Sequence, residues 1–85
     1  MASRTRWLAF RDFVDRTRAV TDAELDELLA DFDAEPDAWL RRACIVTLVR
    51  DERGPLTDAQ LRTVAARYPG KIAAFIATVL ARRAT

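Results

Sequence analysis

The chain has 85 residues, with 14 Lys or Arg, 13 Asp or Glu, one Cys and no His. Without His there is no imidazole base, no Ser-His-Asp or Cys-His arrangement and no His ligand for zinc. One Cys supplies neither an internal disulfide nor a thiolate cluster. At 51% apolar and 32% charged residues the composition is that of a globular domain, and this length makes one domain, residues 1–85. The net charge of +1 hides a segmented chain. Residues 1–20 hold five Arg and two Asp (+3), residues 21–40 eight acids and no base (−8), and residues 41–85 nine bases and three acids (+6).

Two Gly and three Pro among many Ala, Leu, Arg and Glu point to helix. A first helix is expected over about Ser3–Thr17, with Trp7, Phe10 and Val14 at i, i+3, i+7 and Phe13 beside them. A second begins at Thr21, where Thr21 and Glu24 form a capping box, Val20 and Leu25 a hydrophobic staple, and Leu25, Leu28, Leu29 and Phe32 the apolar face. The third is expected from near Pro36, placed at the first helical position, to about Asp51, stopped by Gly54-Pro55. The fourth starts at Thr57 and ends before Pro69. The fifth follows Gly70, runs to about Arg83, and is apolar nearly all round, which places it near the centre.

Val20-Thr-Asp-Ala-Glu-Leu25 and Leu56-Thr-Asp-Ala-Gln-Leu61 match at an offset of 36, and the apolar sets 25, 28, 29, 32 and 61, 64, 65, 68 superpose. Ala43–Val49 resembles Ala74–Leu80 at an offset of 31. Such spacing marks αα-hairpin repeats, here a degenerate and loosely HEAT-like pattern without a family-defining motif. The expected fold is all-α: a compact five-helix domain, an N-terminal helix plus two αα-hairpins.

Five constellations carry functional readings. Asp31, Asp33, Glu35 and Asp37 alternate like oxygen ligands of a calcium loop, but the required Gly and bidentate Glu are replaced by Pro36 and Arg42, so no metal site is expected. Residues 57–83 have the spacing of a helix-turn-helix, but the recognition helix would be Ile72–Ala81, which offers no polar edge to a groove. The first helix sets Arg beside Trp7, Phe10 and Phe13 as a membrane-surface helix does, but Asp12 and Asp15 oppose anionic lipid and core packing explains the stripe. Arg41, Arg42, Arg50 and Arg53, with a short arm of Arg4 and Arg6, supply the charge needed to hold a phosphate backbone. Finally, Asp22, Glu24, Asp26, Glu27 and Asp31 make the second helix acidic, suited to a basic partner, to imitating a phosphate backbone, to head-to-tail stacking on the basic fourth helix of a second copy, or to pairing within the monomer.

Cys44 reads as a small buried hydrophobe. Trp39, in the first turn of its helix and next to Arg41 and Arg42, is the residue expected first at a binding surface. No nucleophile–base pair is readable, so no enzyme, catalytic residue or cofactor is expected. The longest nearly pure apolar run, Ile72–Ala81, is half of the roughly 20 residues a membrane span needs. The Arg-rich composition, 13 Arg to one Lys, points to a GC-rich bacterial or phage source. Together these features predict a small cytoplasmic regulatory module that binds another protein, or itself, through Asp22, Asp26, Glu27, Asp31, Trp39, Arg41 and Arg42. The alternative is nucleic-acid binding through Arg41, Arg42, Arg50 and Arg53.

Overall fold

Five helices account for the regular structure of the computed structural model, which describes residues 2–16, 19–51 and 54–84: α1 (Ala2–Arg16), α2 (Asp22–Ala34), α3 (Ala38–Val49), α4 (Asp58–Arg67) and α5 (Lys71–Ala84). Thr17, Arg53 and the side chains of Arg4 and Arg6 lie outside the described residues. Both expected capping boxes form. The Thr21 hydroxyl accepts from Glu24 N at 3.1 Å while Glu24 Oε1 accepts from Thr21 N at 3.1 Å. These two bonds from Thr21, the backbone one larger, hold the Glu24 carboxyl below its usual range. Thr57 and Gln60 repeat the pattern on α4. The staple residues Val20, Leu25, Leu56 and Leu61 are all buried, which fixes how the chain enters each helix.

The cap of α3 differs from the sequence expectation. Asp37, not Pro36, governs the start: its Oδ1 accepts from Trp39 N at 3.0 Å and Leu40 N at 3.2 Å. A carboxylate at the N-cap satisfies two donors that a proline ring cannot reach, so Pro36 is displaced into the preceding turn. The helix also ends earlier, at Val49, with Arg50 as its C-cap.

Hydrogen bonds and ion pairs at the helix ends give the relative directions. The starts of α2 and α4 meet where Val20 N donates to Pro55 O and Gln60 reaches Asp22, and their C-terminal turns meet where Arg67 binds Asp33. These two helices therefore run parallel. Trp7 meets Trp39 near the starts of α1 and α3, and Asp15 meets Arg50 near their ends, so that pair is parallel as well. Arg83 at the end of α5 bonds Asp58 at the start of α4, closing an antiparallel hairpin. The result is two layers, α1–α3–α5 and α2–α4, with like helices of the two hairpins side by side.

The centre belongs to α3, not α5. Leu40, Cys44, Ile45, Thr47, Leu48 and Val49 are buried, and α3 packs on α1, α2 and α5. Only Ile76 and Val79 of α5 are buried, and its outer side is Ala74, Ala77, Thr78 and Ala81. The apolar character that suggested a central helix comes largely from alanine, which sits at a surface at little cost. Leu29, Ile45, Leu61 and Ile76, at 0–1% exposure, form the shared core, each contributing about 1.5–3 kcal/mol by burial.

Candidate protein-binding groove

The α3 cap sets Trp39 at the second helical position, where its ring is directed outward and remains 59% exposed. It is held from behind: the Trp7 ring meets it edge-on with centroids 6.0 Å apart, and the Arg11 guanidinium lies 5.8 Å from the Trp7 centroid. In front of Trp39 is a groove of about 450 Å³ between the first turns of α3 and the α4–α5 junction. Ile72 contributes its apolar surface over a floor formed by the buried Ile45, Trp39 and Tyr68 its aromatic edges, and Arg41 and Arg42 its charge.

The far wall is fastened by a cluster that sequence reasoning missed. The Tyr68 hydroxyl donates to Asp33 Oδ1 at 2.7 Å, and Arg67 Nε donates to Asp33 Oδ2 at 2.9 Å, with Arg67 Nη2 closing on the same oxygen. Partial burial and then the bond to Asp33 push the Tyr68 phenol up to about 12. Tyr68, followed by Arg67, in turn holds the Asp33 carboxyl below its ordinary value. The available signal was the offset of 36 in the sequence: Tyr68 stands where the buried Phe32 stands on α2, and a hydroxyl on an apolar stripe needs a hydrogen-bond partner.

The sequence-predicted residues do not form a single surface. Trp39, Arg41 and Arg42 come together at the groove. Arg41 Nη1 donates to Glu35 O at 2.9 Å, which pins the α2–α3 loop, whereas Arg42 is exposed and makes no ion pair among the described residues. The acidic residues split along two flanks of α2. Asp22 and Asp26 line a groove against α4 with Ala59, Gln60 and Thr63. Asp31 lines a small recess of about 80 Å³ with Phe10, Leu28 and Cys44, and Glu27, one turn earlier, shares that flank. Arg50 lies at the far end of α3, roughly 12 Å along the axis from Arg42, and pairs with Asp15 at 3.5 Å. Arg53, the fourth member of the basic set, lies outside the described residues.

The alternating acids of residues 31–37 have separate tasks: Asp33 binds Arg67 and Tyr68, and Asp37 caps α3. Among the described residues no group of three or more potential ligands is placed to hold a metal ion, and no helix is long and apolar enough to cross a membrane. Comparison of the chain with protein-family models, with curated proteins and with solved structures returned no match.

Proposed function

We propose that this chain is a small non-enzymatic, cytoplasmic interaction module that binds another protein through the end of the molecule where α3 and α5 begin. The observation that carries this reading is Trp39. Among the described residues it is the most exposed large hydrophobic side chain, at 59% against 46% for Leu8 and 39% for Phe13, and it borders the groove. A tryptophan held in place by a second ring loses little conformational freedom when a partner covers it, which is the property of an interface anchor. The nucleic-acid alternative has less support, because Arg41 and Arg42 are separated from Arg50 by the length of α3 and Arg50 is engaged with Asp15.

Affinity capture from the native host with the wild-type chain and Trp39→Ala tests the reading. The expected result is at least one protein recovered by the wild type and reduced about tenfold or more by Trp39→Ala, with the variant melting within a few degrees of wild type. Identical recovery by both proteins places the interaction elsewhere.

A further inference from the structure

Within that reading, we propose that the groove beside Trp39 takes a linear segment of a partner protein in which a large apolar side chain is flanked by carboxylates. The apolar requirement follows from Trp39, Tyr68 and Ile72, the accessible apolar side chains of the groove. A volume of about 450 Å³ opening between two helix starts suits one or two side chains projecting from an extended or single-turn segment.

The charge requirement follows from which groups near the groove are already satisfied. Asp33 is occupied by Tyr68 and Arg67, and Asp37 by the backbone N–H groups of Trp39 and Leu40. On the positive side, Arg41 gives Nη1 to the Glu35 carbonyl, which leaves Nε and Nη2 as an edge able to grip a carboxylate. Arg42 and Lys71, which immediately precedes Ile72, are exposed and make no ion pair among the described residues. Asp31 and Glu35 line the separate recess that also includes Arg41, and neither lines the groove. The charge on the groove itself is therefore positive, and a carboxylate-bearing segment complements it. A nucleic-acid strand fits less well. Among the described residues only Arg41 and Arg42 line the groove as cations, and Arg50, the next of the basic set, is engaged with Asp15 at the far end of α3, so no row of cations continues along a strand. A second copy of this chain offers Glu27 and Asp31 beside Ala23, Ala30 and Ala34 alone, and on α1 an exposed Leu8 whose neighbouring acids are already engaged, Asp12 with Arg16 and Asp15 with Arg50, with Arg11 beside them.

The test is selection of a random peptide display library on the wild-type protein, followed by fluorescence anisotropy with the enriched peptides. The expected peptides carry an aliphatic or aromatic residue with at least two Asp or Glu close by. Their affinity falls about tenfold or more on Trp39→Ala, on Arg42→Glu, and when the peptide acids are replaced by Lys. Arg42 is exposed, so the second variant keeps the fold if the first does not, and a circular-dichroism melt verifies this. Any of several results overturns the proposal: no enrichment, peptides without acids, binding indifferent to Trp39 and Arg42, or an oligonucleotide competing through the same residues. Self-association lost on Trp39→Ala, read by light scattering, would assign the groove to a second copy and overturn it equally. If selection fails while Trp39-dependent capture of a protein succeeds, the interaction-module reading stands and the linear acidic segment is wrong.

Discussion

Replacing Gln60 by Glu tests the junction between the two hairpins more sharply than any truncation. Gln60 is 6% exposed and makes opposite use of its two ends. Oε1 accepts from Thr57 N at 2.9 Å as part of the α4 cap, and Nε2 donates to Val20 O at 2.8 Å and to Asp22 Oδ1 at 2.9 Å. A glutamate preserves the cap but puts an oxygen where the two donations began. One neutral and one charge-assisted hydrogen bond are lost, about 1 and 1.5–3 kcal/mol respectively. If the new carboxylate stays beside Asp22, repulsion at about 4 Å adds between about 1 kcal/mol in water and about 4 kcal/mol near a protein surface. If it swings outward, the buried Val20 carbonyl loses that donor. The expected loss is at least about 3 kcal/mol, a large part of the roughly 4–13 kcal/mol expected for a chain of this size. Urea unfolding followed by circular dichroism at neutral pH measures it. The introduced carboxyl has its pKa raised by burial and by Asp22, so the penalty is smallest below the unfolded-state value near 4.3 and grows as pH rises through the folded value. Adding Asp22→Asn, which removes the like charge and supplies a donor, recovers part of the loss. A Gln60→Glu variant within about 0.5 kcal/mol of wild type at pH 7 would show that the amide donations do not hold the hairpins together.

Tyr68 is the only tyrosine in the chain, so absorbance near 295 nm follows its ionisation alone; the midpoint is expected near 12, and Asp33→Asn brings it closer to 10. Because the folded value is raised, the associated stability is present below pH 10 and is lost as pH rises through 12; an unshifted wild-type midpoint refutes the cluster. Asp37→Ala costs about 1 kcal/mol in urea unfolding through loss of the α3 cap, while Pro36→Ala changes it by less than about 0.5 kcal/mol. The reverse order would return the start of α3 to the proline.

Both capping boxes, both staples and most of the buried stripe were legible in the sequence because they depend on contacts three to five residues apart. Phe13 shows where a stripe overreaches: it sits beside the apolar series of α1 yet is 39% exposed, because its position on the wheel turns it away from α3. Pro36 was misplaced because two helix-start signals lay side by side and only the geometry showed which supplied the acceptor. The position of α5 was misread because apolar content was taken as a measure of burial, and alanine satisfies the count without needing the core. The groove itself was half legible. Trp39, Arg41 and Arg42 are close along one helix, but Tyr68 and Ile72 reach them through packing of the second hairpin. The acidic stretch read as one face because its residues are contiguous, although a helix distributes contiguous residues around its axis.

The bonds from Val20 N to Pro55 O and from Gln60 to Val20 and Asp22 join positions 35 to 40 residues apart. Each hairpin, by contrast, is closed by a short loop and needs only local search. Contacts of this separation are entropically the most expensive to reach, so the junction is expected to close after the hairpins. It would then act as a latch on the native state: Gln60→Glu is expected to speed unfolding and leave refolding little changed in stopped-flow measurements, and a matching slowing of refolding would refute that order.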